Sequence, residues 1–97
     1  MITLESLRAG KRDEILRLAE RHGARSLRVF GSVARGEANE SSDLDLLVEW
    51  EPGRSLFDHV ALVQDLEEAL EVKVDVGTER SLHWYARDRI LSEATPL

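Results

Sequence analysis

Apolar residues follow helical and strand-like spacing in turn along the first third of the chain. Between residues 4 and 21 they recur at roughly helical spacing, interrupted at Gly10, which predicts a first helix of about 10–18 residues that ends at Gly23. Residues 26–30 alternate and are rich in strand formers. Gly31 and Ser32 interrupt that run, and a short helix is predicted from Val33.

The remaining pattern predicts two further strands and two further helices. Residues 43–50 form a strand that alternates acid and leucine up to Leu46, and residues 72–77 form another. Between them an amphipathic helix spans residues 56–70, with Ser55 as a possible N-cap. A final helix over residues 82–94 ends before Pro96. The apolar positions of the amphipathic helix, expected to cover one face of the sheet, are Leu56, Val60, Val63, Leu66 and Leu70.

Composition limits the class of protein. With 97 residues, 42% of them hydrophobic and 33% charged, we expect one globular domain over residues 1–97. There is no cysteine, so disulfide scaffolds, thiolate metal sites and thiol nucleophiles are excluded. The start of the chain does not resemble a signal peptide, and no run of 18 apolar residues occurs, so we expect a cytoplasmic protein without a membrane partner. A formal charge of −6 argues against nucleic-acid binding as the main role, direct sequence-specific binding included.

Three aspartates on the predicted strands are candidates for chemistry. Asp43 and Asp45 are two residues apart, so on a strand their carboxylates point to the same face. Asp75 lies on another strand and joins that face if the two strands are neighbours. Carboxylates about 5 Å apart repel by roughly 3 kcal/mol at an effective dielectric near 20, so such a cluster favours a hard divalent cation. Mg²⁺ held by carboxylates and substrate phosphates indicates phosphoryl or nucleotidyl transfer.

Each of these features also has a plainer interpretation. Asp43 and Asp45 could form a solvated strand face that discourages aggregation. Gly31 and Ser32 could be a turn and helix cap, or a cradle whose backbone N–H groups and hydroxyl receive a phosphate. Arg35, projecting near the same end of the short helix, could reach a phosphate or brace an acidic side chain, and we favour the brace.

The motifs together resemble a known family. Gly31-Ser32, ten intervening residues and Asp43-Leu44-Asp45 resemble the signature of the nucleotidyltransferase superfamily that includes DNA polymerase β. The runs 30–36 and 42–48 look like its minimal nucleotidyltransferase (MNT) branch. Residues 73–76 resemble the third acidic strand of that branch, and residues 88–94 its C-terminal helix. The resemblance covers nearly the whole chain and implies an α/β (α+β) polymerase β-like domain with a small mixed sheet flanked by helices.

The resemblance also implies a chemistry. In such proteins the first two aspartates hold two Mg²⁺ ions with the ATP triphosphate, which here assigns Asp43 and Asp45. The third helps to activate the attacking hydroxyl, a role that falls to Asp75, and all three aspartates are counted as metal and catalytic residues. Gly31 and Ser32 would bind the nucleotide phosphates, together with Arg35.

Stand-alone MNT proteins resemble the antitoxin halves of two-gene systems whose toxin is a helical HEPN ribonuclease. The resemblance implies transfer of AMP from ATP to a hydroxyl of that toxin, with tyrosine as the expected acceptor, in a hetero-oligomer. Two alternatives remain: an antitoxin that neutralises its partner by binding alone, and a catalytic subunit of a two-chain transferase acting on a small molecule or RNA. Three aromatic residues near element ends are predicted to complete the core rather than anchor a partner: Trp50, Trp84 and Tyr85.

Overall fold

A computed structural model describes residues 2–97 as helices packed on a four-stranded sheet. In chain order the elements are α1 (Leu4–Ser6), a π-helical segment (Leu7–Lys11), α2 (Arg12–Arg21), β1 (Ala24–Phe30), α3 (Gly31–Arg35), β2 (Leu44–Trp50), α4 (Leu56–Leu70), β3 (Val74–Gly77), a 3₁₀ helix (Glu79–Ser81), α5 (Trp84–Glu93) and β4 (Thr95–Pro96). None of the helices in residues 2–97 is long and apolar enough to cross a membrane.

Helix α4 confirms the helix predicted from the apolar pattern, with the same first and last residues. Ser55 caps it as expected: its hydroxyl accepts from the Phe57 N–H at 3.2 Å, and the Asp58 carboxylate accepts from the Ser55 N–H at 2.8 Å. This reciprocal arrangement satisfies N–H groups that have no partner inside the helix. The predicted first helix is also present, but its middle part, which includes Gly10, is the π-helical segment.

The sheet is mixed, with strand order β3-β2-β1-β4. Strand β2 pairs with β1 antiparallel and with β3 parallel. The parallel β2–β3 connection runs through α4, as a crossover between parallel strands requires. The mixed α/β class predicted from the sequence is confirmed, and the two strands that carry Asp45 and Asp75 are neighbours.

One face of the sheet carries the main apolar core. The inward side chains of β2 are Leu44, Leu46 and Val48, and those of β3 are Val74 and Val76, all buried. They pack against helical residues, of which the buried ones are Leu7, Ile15, Ala19, Val33, Leu62, Leu66 and Leu70. Because successive residues of a strand face opposite sides, the residues between them form the second face, which carries Asp45, Leu47 and Asp75.

Two predictions about apolar residues are wrong. Leu56 and Val60 were expected in the buried stripe of α4, but both are exposed, and Leu62 is buried in their stead. The buried side of α4 is instead formed by Leu62, Leu66 and Leu70, which are four residues apart. Trp84 and Tyr85 were expected in the core, yet they are 87% and 71% exposed at the start of α5.

Element ends differ from the predictions where tertiary pairing decides them. Strand β1 begins at Ala24 rather than Ser26, because Ala24 pairs with Trp50. That tryptophan is half-buried against the core, as predicted. Asp43 lies just before β2 rather than within it. Strand β3 begins at Val74, and α5 spans Trp84–Glu93 rather than residues 82–94. The two-residue strand β4 was not predicted, since its pairing with β1 leaves no local pattern.

The end of α4 generates a stability prediction. Glu71 follows the helix with φ of 55°, a left-handed conformation that glycine adopts without steric cost. We expect Glu71→Gly to raise the free energy of unfolding by up to about 1 kcal/mol, measured by chemical denaturation. Glu68→Gly is the matched control, an exposed glutamate in the same helix, and it should lower stability by about 1 kcal/mol. Destabilisation by both changes would contradict the left-handed helix end.

Candidate active site

The register of the sheet places the two strand aspartates side by side. Asp45 pairs with Phe30 of β1 on one side and with Asp75 of β3 on the other. Register partners share a face, so both carboxylates lie on the second face of the sheet. Asp45 is half-buried, whereas Asp75 is exposed. The structure thus brings together the second and third of the predicted aspartates.

Gly31 lies against the Asp45 carboxylate. It follows β1 directly, begins α3 and has φ of +76°, in the region that favours glycine. A Cβ atom built on Gly31 would collide with Oδ2 of Asp45 and would lie 3.2 Å from its Cγ. The position therefore requires glycine for two reasons, the backbone angle and the close approach.

Burial raises the pKa of Asp45 from 3.8 to about 6, with smaller contributions in the same direction from Asp75 and Asp43. Arg35 opposes the increase, and Glu93 adds to it. Desolvation penalises a carboxylate charge that water would otherwise stabilise. The cost at Asp45 therefore comes first from burial, and only second from the repulsion among aspartates that the sequence suggested.

The first of the predicted aspartates, Asp43, is exposed and lies outside β2. Within residues 2–97 no three carboxylate or imidazole side chains are close enough to hold a metal ion between them. A complete three-carboxylate cage is therefore not formed. Mg²⁺ does not require one, since it is usually held by one or two carboxylates, waters and substrate phosphates. The oxygen donors of Asp43 and Asp45, and the raised pKa of Asp45, fit such an ion.

Arg35 braces acidic side chains, in line with the favoured interpretation. Its Nε donates to Oε2 of Glu37 at 2.7 Å, and its Nη1 donates to Oε1 of Glu93 at 3.1 Å. These bonds direct the guanidinium toward glutamates. Ser32, in the first turn of α3, is half-buried and carries an N–H without an acceptor inside the helix. Its N–H and hydroxyl are the polar groups that the turn can offer to a ligand.

Glu93 is a site residue that sequence reasoning did not identify. Its Oε1 accepts both from Arg35 and from the N–H of Gly31, the latter at 3.2 Å. A glutamate at the end of a predicted helix carries no local signal of such a contact. The long-range packing of α5 against α3 and β1, with β4 paired to β1, brings it to Gly31.

The chain is similar to known nucleotidyltransferases over most of its length. The model of the family described as "Nucleotidyltransferase domain" matches residues 12–97. A protein of Methanocaldococcus jannaschii assigned as a protein adenylyltransferase is 47% identical over 81 residues, which cover 84% of this chain and 87% of the relative. A solved structure described as a minimal nucleotidyltransferase has a TM-score of 0.84 and 55% identity, and the match covers 99% of this chain and 97% of that one.

A more distant structure shares the fold alone. It contains a tri-AMPylated HEPN toxin of Shewanella oneidensis in complex with an MNT antitoxin. The matched chain is 20% identical with a TM-score of 0.63, and the match covers 87% of this chain and 66% of that one.

The close approach of Gly31 and Asp45 predicts the effect of adding one methyl group. Gly31→Ala should lower the free energy of unfolding by roughly 2 to 3 kcal/mol, since it combines backbone strain with displacement of Asp45. Gly36→Ala is the control, because Gly36 has a similar φ of +73° but nothing within 4 Å of its Cβ position. The Gly36→Ala variant should lose only about 1 kcal/mol of its free energy of unfolding. Equal losses in denaturant titrations would show that Asp45 does not restrict the turn.

The raised pKa of Asp45 predicts a pH-dependent stability. The unfolded chain loses this proton near pH 3.8 and the folded chain near pH 6, so stability falls as pH rises between these values and stays lower above them. In metal-free buffer at pH 7.5, Asp45→Asn should therefore stabilise the chain by on the order of 1 to 2 kcal/mol, a value reduced for partial exposure. Below pH 4 the gain should vanish.

Thermal unfolding in EDTA at pH 4 and pH 7.5 measures this difference. Asp88→Asn, an exposed aspartate of α5, is the matched control and should change stability little at either pH. A drop in the melting temperature of Asp45→Asn at pH 7.5 would mean that the carboxylate forms stabilising contacts in the folded chain.

Proposed function

The chain belongs to the nucleotidyltransferase domain family, and on this premise we propose that it transfers AMP from ATP to a hydroxyl group of a partner protein. We propose further that the partner is a helical HEPN-type toxin, that the acceptor is a tyrosine hydroxyl, and that the chain acts as a cytoplasmic antitoxin.

One observation carries the proposal: the sheet register sets Asp45 beside Asp75, and the Gly31 backbone closes against Asp45. The Gly31–Ser32 turn, Asp45 and Asp75 thus lie around one point, an arrangement that supports phosphate binding by the turn, metal binding by Asp45 and a base role for Asp75. Simple surface aspartates would need neither the burial of Asp45 nor a glycine fitted against it. An active site needs both, because it holds reacting groups in fixed positions.

The site residues take different roles in this proposal. Asp43 and Asp45 hold the metal-bound triphosphate, and Ser32 donates its N–H and hydroxyl to phosphate oxygens. Asp75 is exposed, which leaves it accessible to a hydroxyl presented by another molecule. Arg35, already paired with Glu37 and Glu93, stabilises the turn and counters the negative charge near Asp45.

The reaction follows from these positions. The acceptor oxygen forms a bond to the α-phosphorus of ATP, the bond from that phosphorus to the bridging oxygen breaks, and pyrophosphate leaves with the electron pair. Asp75 accepts the proton of the hydroxyl. We propose two Mg²⁺ ions at Asp43 and Asp45, which would neutralise charge on the phosphates and carboxylates.

The partner assignment rests on similarity to a solved complex and on the exposed aromatic residues of this chain. The solved complex of an MNT antitoxin with a tri-AMPylated HEPN toxin supports a protein acceptor. Trp84, Tyr85 and Phe57 are large and exposed on this chain, and aromatic side chains of this kind are enriched in protein interfaces. Those same residues favour the second candidate, an antitoxin that neutralises its partner by binding alone.

Intact-mass spectrometry tests the two candidates. Incubated with its toxin, ATP and Mg²⁺, the chain should raise the toxin mass by whole AMP units. Asp75→Asn should slow the addition by about 10²-fold or more, since general-base catalysis contributes on that scale, while ATP binding persists. Asp43→Asn combined with Asp45→Asn should abolish metal-dependent ATP binding as well.

Two controls complete this experiment. Asp88→Asn should retain wild-type turnover, because this exposed aspartate of α5 has no role in the proposed site. Addition of EDTA should stop transfer by the wild-type chain. Full neutralisation of the toxin by wild-type chain without any mass shift would refute catalysis and leave neutralisation by binding.

A further inference from the structure

Glu93 connects the last helix to the turn at Gly31. Its side chain is only 16% exposed, and its Oε1 accepts from two donors, the Gly31 N–H at 3.2 Å and Arg35 Nη1 at 3.1 Å. Both donors belong to α3, of which Gly31 is the first residue and Arg35 the last. A partly buried carboxylate that accepts one charge-assisted and one backbone hydrogen bond is held more firmly than an exposed one.

Strand β4 pairs with β1 directly after Glu93 in the chain. Thr95 pairs with Val29 and Pro96 with Arg28 in an antiparallel ladder. The ladder stops before Glu93, which is the last residue of α5, and the side chain of Glu93 reaches Gly31 where α5 packs against α3 and β1. The chain after Glu93 is held at further points, because Arg8 donates to the Pro96 carbonyl at 2.7 Å and Arg12 donates to the Leu97 carbonyl at 2.9 Å. Glu93 is therefore anchored independently of the turn that it contacts.

The conformation of the Gly31 peptide is tightly constrained. Its left-handed φ brings it against the Asp45 carboxylate, and it begins the helix turn whose next residue is Ser32. The hydrogen bond that the Gly31 N–H donates to the Glu93 carboxylate fixes the orientation of this peptide. It also occupies that N–H, so that the N–H and hydroxyl of Ser32 are among the donors left for phosphate oxygens.

From this geometry we infer that Glu93 is a positioning residue for nucleotide binding: it orients the Gly31–Ser32 turn and holds Arg35 beside it. This inference rests on the proposed function, in which that turn receives the triphosphate. Glu93 itself touches no substrate. Its loss therefore weakens the affinity for nucleotide more than it slows the chemical step.

Substitution of Glu93 tests the inference with two separate readouts. In nucleotide-free Glu93→Ala, hydrogen exchange at the Gly31 amide, followed by NMR, should rise about tenfold, the factor that loss of one hydrogen bond implies. The Kd and KM for ATP with Mg²⁺ should rise by about tenfold as well, with kcat within about twofold of wild type. Glu93→Gln keeps a neutral acceptor and should recover most of the Gly31 protection.

Glu37→Gln is the matched control. It removes the other carboxylate on Arg35, at 2.7 Å, without affecting Gly31. Gly31 exchange and nucleotide affinity should stay within about twofold of wild type, given the small value of exposed ion pairs. An equal effect of Glu37→Gln would overturn the inference, because the charge on Arg35 would then be the cause.

The outcomes separate this inference from the proposed function. Wild-type chain that binds no ATP in the presence of Mg²⁺ would refute the proposed function and, with it, a nucleotide-positioning role for Glu93. Binding by the wild type with unchanged affinity in Glu93→Ala would refute the role of Glu93 alone. Should Glu93→Ala not fold, Glu93→Asp replaces it, since the shorter side chain keeps its charge but loses reach. Unchanged Gly31 exchange in Glu93→Asp would overturn the inference.

Discussion

The contact between the Gly31 backbone and the Asp45 carboxylate governs how β1, α3 and β2 meet. Strand β1 ends at this point, the left-handed φ of Gly31 turns the chain, and α3 starts against the side chain that β2 presents. Any side chain on residue 31 would displace Asp45 from its place beside Asp75. The turn and the carboxylate pair therefore form a single geometric unit, and disturbing either one disturbs the other.

This unit places function in opposition to stability. An aspartate whose pKa is raised to about 6 by burial carries its charge at a cost to the folded, metal-free chain. Arg35 offsets part of that cost, but Glu93 adds to it while it holds the turn in place. A residue that served stability alone would not be a carboxylate at position 45. Strained or costly groups of this kind are typical of sites where a ligand supplies the missing compensation.

Local patterns predicted the elements that local interactions build. The first and last residues of α4 were predicted correctly, because the apolar period and the Ser55 cap that define the helix are both local features of the sequence. Asp45 and Asp75 were predicted on one face from strand alternation, although their adjacency required the β2–β3 pairing. The exposure of Trp84 and the contact of Glu93 with Gly31 could not be predicted in this way. Both depend on where α5 lies and on a two-residue strand, which only long-range pairing specifies.

The overall charge gives the site a further property. Under the proposed function, the formal charge of −6 would repel a free triphosphate, and the carboxylates of Asp43, Asp45 and Asp75 would add a local repulsion at the proposed binding site. A triphosphate that carries a divalent cation has about half the net charge of the free form, so the repulsion that it meets falls in proportion. The same carboxylates then change from repelling groups into ligands. The proposed function therefore predicts that affinity for nucleotide is coupled to the cation by the charge of the chain itself, before any specific contact with base or ribose.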